Sequence, residues 1–253
     1  MLMSADDRTA GYQEWRRLTF LHWSVSPQEI QRLLPSPLTV DCYDDRAWVG
    51  LVPFSMERIR PWWSPAVPGV SWFLETNLRT YVRTPSGSQG VWFFSLDANQ
   101  RLAVRIARNL WKLPYFDAVL RMSDCQVNRD DSRRAGVEYQ GRRTEQPAAD
   151  YRMVVCPTET EACPAAVDTL EHFLVERYTL FCVNGRGRLL SGKVHHEPYR
   201  IQPIDYCELA QTVTAAAGIS VADPCRPDHA VYSPGVSVRV SPLTPVFVDG
   251  LSG

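Results

Sequence analysis

The apolar positions along the chain follow two rhythms, and the period of two dominates. "LTFLHWSV" (18–25) alternates as a strand does, and "LTVDCYDDRAWVGLVPFSM" (38–56) reads as two strands around a turn at Asp44 and Asp45. "WFLETNLRTYVRTPSGSQGVWFFSL" (72–96) predicts a hairpin turning between Pro85 and Gly90, its second strand, Val91 to Leu96, apolar enough for burial on both faces. From Tyr115 to Val155 the chain reads as strands separated by polar turns. "TLFCVN", "LLSGKVHHEPYRI" and "VSVRVSPLTPVFV" add further strands.

The helical rhythm occurs three times. In "SPQEIQRLLP" (26–35) Ser26 is an N-cap, Pro27 suits the first helical position and Glu29 completes a capping box. Ile30, Leu33 and Leu34 supply an apolar face until Pro35 stops it. "DANQRLAVRIARNLW" (97–111) sets Leu102, Ile106 and Leu110 on one face and Arg101, Arg105 and Arg108 on another. "CPAAVDTLEHFLVERY" (163–178) groups Val167, Leu170, Phe173 and Leu174. Residues 60–71, with three prolines and a glycine, are read as a loop carrying Trp62 and Trp63. Many strands with a few helices, and no repeat, charge block or low-complexity tract, predict one α+β domain over 1–253, mainly antiparallel β.

Composition narrows the chemistry. A net charge of -1 offers no surplus of positive charge to follow a phosphate backbone, which argues against nucleic acid as a partner and for a small-molecule ligand. Self-association into a homo-oligomer is left open. Seven cysteines, never spaced C-x-x-C, fit reduced thiols better than a zinc knuckle or a disulfide framework. The expected compartment is the cytoplasm: the first residues lack a basic start followed by an apolar stretch, and no apolar run approaches the ~20 residues of a membrane span. Lys112 and Lys193 are the only lysines, so amine catalysis has two side-chain candidates.

Three further features bear on a site. In "FLETNLRTYVR" alternation sets Leu74, Leu78 and Val82 on one face and Glu75, Asn77, Arg79, Tyr81 and Arg83 on the other; by itself the pattern favours water for the polar face. His195 and His196 are neighbours on a strand and face opposite ways, so they are poorly placed to share a metal, while His22 between Leu21 and Trp23 reads as a core histidine. No H-E-x-x-H, G-x-S-x-G, Walker lysine loop or G-x-G-x-x-G occurs, and neither a metal nor a cofactor is expected.

Five blocks taken in order resemble the YqjF-like proteins, a family of unknown function: "RRLTFLHWSVSPQEIQRLLPSPLTVDCYDDRAWVGLVPFSM", "FLETNLRTYVRTPSGSQGVWFFSLDA", "ARNLWKLPYFDA", "LEHFLVERYTLF" and "VHHEPYRIQP". That family is similar in turn to the acetoacetate decarboxylase superfamily. The resemblance implies a cone-shaped β-barrel enclosing a ligand cavity, with peripheral helices. The decarboxylase uses a buried Schiff-base lysine with a depressed pKa, beside a glutamate and an arginine. The resemblance puts Glu75 on the glutamate, Arg16 on the arginine by its spacing to Trp23, and Pro114 on the proline of a Pro-Lys-Lys segment. Tyr115 and Phe116 then stand at the lysine positions, so the amine is expected to be gone; Lys112 lies three residues earlier. A phenol can donate a hydrogen bond or a proton but cannot form an iminium.

The resemblance also turns the Glu75 face inward. Glu75 and Tyr115 are the expected catalytic residues of a lysine-independent enzyme, a lyase or isomerase, doing proton-transfer chemistry on a carbonyl or carboxylate compound. Arg16, His22, Asn77, Arg79, Phe94, Phe116 and His196 are the expected ligand-binding residues. The alternative is a non-catalytic binding or scaffold protein whose interior is plugged by Trp92, Phe94 and Phe116. A third reading keeps amine catalysis through Lys112 or Lys193.

Overall fold

The computed structural model describes residues 9–101, 113–129 and 132–246. In chain order the elements are β1 (Gly11–Val25), α1 (Pro27–Gln31), β2 (Thr39–Val40), β3 (Ala47–Pro61), β4 (Phe73–Arg83), β5 (Gln89–Ala98), β6 (Tyr115–Arg129), β7 (Ser132–Arg143), β8 (Asp150–Pro157), β9 (Cys163–Pro164), α2 (Leu170–Val175), β10 (Thr179–Val183), β11 (Leu189–His195), β12 (Arg200–Gln211), α3 (Val213–Ala216), β13 (His229–Val240) and β14 (Thr244–Pro245). The α+β, mainly antiparallel architecture read from the sequence is the one observed; among the described residues only β5 with β6 and β5 with β10 pair in parallel. The predicted helix over 97–111 lies almost wholly outside the described residues. No helix among the described residues is long and apolar enough to cross a membrane.

The strand pairings close two circuits that share a wall. One runs β5, β4, β3, β1, β13, β11, β10 and back to β5. The other leaves β5 through β6, β7, β8 and β12 and rejoins β13. Each circuit has its own core. Phe20, Val52, Phe54, Tyr81, Tyr199 and Val238 fill the first, and Leu21, Trp23, Leu51, Leu78, Tyr139 and Met153 the second. Alternation along β1, β3 and β4 explains the division: Phe20 and Leu21, or Val52 and Leu51, are successive residues pointing to opposite sides of the shared wall. Burying each such side chain contributes roughly 1.5–3 kcal/mol.

Two predicted helices come out differently. Only Leu170–Val175 of the 163–178 segment is helical, and Cys163–Pro164 is instead a short strand against Arg200 and Ile201. Thr169 is the N-cap, its hydroxyl accepting from the His172 amide at 3.3 Å, and Asp168 before it has a φ of 65°. The apolar spacing through Val167 therefore did not mark a buried face; Val167 is 71% exposed. At α1 the capping box does not form, because the Ser26 hydroxyl donates to Gln28 Oε1 at 2.8 Å and makes no cap bond. The 60–71 loop starts later than predicted, since β3 runs to Pro61.

Candidate active site

β4 carries the site, and burial on both faces gives it that position. Leu78 enters the second core, while Glu75, Asn77, Arg79 and Tyr81 face the first. Glu75 is 3% exposed, so the polar face does not look into water. The Tyr115 hydroxyl donates to Glu75 Oε2 at 2.8 Å. Local structure sets that contact: Leu96 donates its amide to Pro114 O at 3.0 Å, and parallel register puts Tyr115 beside Leu96 at the start of β6. Asn77 pairs with Leu96 across β5, so the phenol reaches over one strand to the carboxylate.

Burial pushes the Glu75 carboxyl up to about 7; hydrogen bonds from Tyr115 and Asn77 oppose that rise, and the nearby Asp97 charge adds to it. Burial and the Glu75 charge together push the Tyr115 phenol well above its ordinary value, so it stays protonated as a donor. Asp97, 2% exposed, faces a buried partner, with Arg143 donating to it at 2.9 Å.

Arg79 is the buried cation of this face. It is 8% exposed, one guanidinium nitrogen donates to Leu174 O at 3.0 Å, and its Nε has no partner. Among the described residues no ion pair involves it. The same carbonyl of α2 takes the Tyr81 hydroxyl at 2.7 Å, so α2 caps the interior where Arg79 ends. Asn77 Oδ1 is likewise buried without a partner. A buried polar atom left unpaired costs free energy comparable to a lost hydrogen bond, which marks both groups as able to receive a ligand.

The remaining predicted residues divide. His22 is fully buried in the first core as expected of a core histidine: its Nε2 lies 2.8 Å from the Tyr81 hydroxyl and its Nδ1 3.3 Å from His229 Nδ1. Since the Tyr81 proton goes to Leu174 O, His22 Nε2 carries the proton in that contact. His196 packs against Trp15, Tyr178 and Tyr199, donates Nδ1–H to Glu197 O at 2.8 Å, and leaves Nε2 buried and unpaired. Arg16 does not join Glu75. It reaches Glu14 Oε2 at 2.7 Å and Val236 O at 2.9 Å; Arg17, with a φ of 57°, lies within a register shift between Arg16 and Leu21 that changes the face a count of residues back from Trp23 would give Arg16.

Phe94 packs into the second core and Phe116 lies 4.0 Å beneath the Arg143 guanidinium, so neither stands with Glu75; Trp92 packs in a separate cluster with Phe181. Phe20, Tyr81 and Tyr199 fill the first interior instead. Tyr199, in the connection between β11 and β12, and His229, at the start of β13, were missed because no polar alternation flags either. Lys193 sits on β11 next to the inward Val194 and faces the other way; Lys112 lies outside the described residues. Among the described residues no group of three or more His, Cys, Asp or Glu could hold a metal ion. Among the described residues, clefts of about 560 and 280 Å³ indent the surface. His196 lines the larger and Phe94 the smaller, and neither is lined by Glu75 or Tyr115.

A model of the DUF2071 family, described as an uncharacterized conserved protein, matches residues 12–237. The chain belongs to this family. Among its relatives is the uncharacterized protein YqjF of Bacillus subtilis (strain 168), 35% identical over 211 residues that cover 83% of each chain. Solved structures share the fold at low identity. Acetoacetate decarboxylase from Legionella pneumophila is 12% identical with a TM-score of 0.61 over 96% of this chain and 90% of that one. An acetoacetate decarboxylase-like enzyme from Sphingomonas wittichii RW1 is 14% identical with a TM-score of 0.60 over 95% and 94%. The enduracididine biosynthesis enzyme MppR complexed with pyruvate is 11% identical with a TM-score of 0.58 over 94% and 91%. At these identities the likeness establishes the fold, and this DUF2071 chain carries Tyr115 on the strand that meets Glu75.

Proposed function

We propose that the chain binds a small oxygenated organic molecule in the cytoplasm and performs lysine-independent proton transfer on a carbonyl or carboxylate compound through Glu75 and Tyr115. The observation that carries this reading is a carboxyl raised to about 7, so that both its protonated and ionised forms are populated near neutrality, held 2.8 Å from a phenol that stays protonated. Ionised Glu75 takes a proton from carbon next to a carbonyl; the Tyr115 hydroxyl then offers its hydrogen bond to the oxygen on which charge develops. Arg79 supplies an unpaired Nε–H donor for an anionic end of the ligand, and Asn77 Oδ1 an unpaired acceptor for a ligand hydroxyl. Glu75 and Arg79 stand four residues apart on one strand, a spacing of about 13 Å between their backbones that suits a short-chain compound.

A thermal-shift screen of small carbonyl and carboxylate compounds, followed by proton NMR of the hits in deuterated buffer, tests the reading. Hits are expected to exchange a carbon-bound proton for deuterium with the wild-type chain and not with Glu75→Gln. Equal exchange by both proteins overturns it. Borohydride treatment with the same hits is expected to leave the intact mass unchanged.

The second reading is a non-catalytic binding protein. It is favoured by the packing of Phe20, Tyr81 and Tyr199 around Arg79 and by the absence of Glu75 and Tyr115 from the walls of either cleft. Hits that shift the melting temperature without any exchange support it.

A further inference from the structure

The larger cleft lies where β1, β3, β13 and the end of β11 meet and has a chemistry of its own. Strand register lines up Arg60 on β3, Tyr12 on β1, Arg239 on β13 and His195 on β11 as successive cross-strand neighbours. All four line the 560 Å³ cleft, a volume within the usual range for small-molecule sites. Arg60 stacks over the Tyr12 ring at 4.4 Å. Arg58, also in the wall, pairs with Glu14 at 3.3 Å, and Glu14 is shared with Arg16 at 2.7 Å, so that carboxylate is already engaged by two guanidinium groups. Neither Arg60 nor Arg239 enters an ion pair among the described residues, and both are half-buried.

Like charges do not gather without cost in a chain whose net charge is -1. Neighbouring strands are about 4.8 Å apart, so the Arg60 and Arg239 backbones lie about 10 Å apart and their side chains can converge over Tyr12. A planar guanidinium presents paired donors matched to two oxygens of one oxyanion. The cleft ends against His196, whose ring also packs on Trp15 and Tyr199 of the first core.

The geometry points to a second binding site in this cleft, for a soluble small molecule bearing a multiply charged oxyanion of the phosphate or diphosphate class, gripped by Arg60 and Arg239 across Tyr12. This site is separate from the Glu75–Tyr115 interior and does not depend on that pair being catalytic.

Isothermal titration of the full chain with inorganic pyrophosphate at low ionic strength tests it. One pyrophosphate is expected per chain, with affinity weakened about tenfold or more in Arg60→Gln and in Arg239→Gln and unchanged in Arg152→Gln, which removes an equal charge from an exposed pair on another strand. Thermal melts of each variant check that the fold persists. Absence of binding to the folded wild-type chain, an equal loss in Arg152→Gln, or association only with phosphatidylglycerol vesicles and not with pyrophosphate would each overturn the assignment.

Discussion

The Tyr115 hydroxyl donates to Glu75 Oε2 across 2.8 Å, joining residues 40 positions apart in the chain. That bond holds the Glu75 carboxyl lower than burial alone would. Tyr115→Phe removes the donor and leaves the ring, so the Glu75 pKa is expected to rise further above 7. Carboxyl infrared bands followed through a pH titration, with Glu75→Gln as the blank, measure it. A Glu75 titration unchanged or shifted downward in Tyr115→Phe contradicts the geometry.

Glu75 also makes stability depend on pH. Its folded pKa of about 7 lies above the unfolded value of 4.5, so the native state retains a proton that the unfolded chain releases. The stability this contributes is complete below the unfolded pKa and is lost as pH rises through the folded one. At 1.36 kcal/mol per pKa unit the change amounts to roughly 3 kcal/mol. Relative to Glu75→Gln, which stays neutral, the wild-type chain is expected to lose about that much between pH 4.5 and 7.5 in urea unfolding. Parallel stability curves for the two proteins would rule out a raised carboxyl.

Asp41 and Arg177 form a buried ion pair at 3.0 Å, with side-chain exposures of 0% and 5%. Gln89 also donates to Asp41 at 3.0 Å, and Arg83 pairs with it from a more exposed position. Asp41→Asn leaves the Arg177 charge in place without its counterion, and the expected loss is about 3–5 kcal/mol. Glu138→Gln, which breaks a pair with the exposed Arg152, is expected to cost under about 1 kcal/mol. Chemical denaturation of both variants gives the comparison; equal losses would place Arg177 in contact with water.

Gly90 lies on β5 where β10 closes the first circuit. A Cβ there would stand 2.4 Å from Thr179 O and 2.7 Å from the Phe181 ring. Because a backbone oxygen cannot swing aside, Gly90→Ala is expected to destabilise the fold by about 1–3 kcal/mol. Gly185→Ala is the control, since its Cβ would meet nothing within 4 Å. A matching melting temperature for the two variants would argue against the parallel closure of β5 on β10.

Much of this fold was legible in the sequence because strand alternation is written locally. The hairpin of β4 and β5, the turn at Asp44 and Asp45, and the chain of strands after Tyr115 all followed from residues adjacent to one another. What alternation could not supply was the sense of each face. The polar residues of β4 look inward because the first circuit closes over their side while the second covers the apolar one, and only the family resemblance carried that information. Arg16 was misplaced because a bulge at a non-glycine left-handed residue, Arg17, leaves no mark in the hydrophobic pattern. The helix over 163–178 was overlong because an apolar period continued past Thr169, where the cap sets the true start. His229 and Arg177 escaped notice since their partners, His22 on β1 and Asp41 just after β2, lie far away in the sequence.

A strand that serves as the partition between two chambers has no idle side. Along β4 each residue from Glu75 to Tyr81 is buried, and successive side chains point into different interiors. Any remodelling of the polar chamber therefore reaches the neighbouring apolar one through a backbone common to both, and tolerance for amino-acid change should be poorest on this one segment. The carboxylate is thereby fastened to the plank of the molecule least free to shift, which keeps Glu75 aimed at Tyr115 while loops and rim are at liberty to vary.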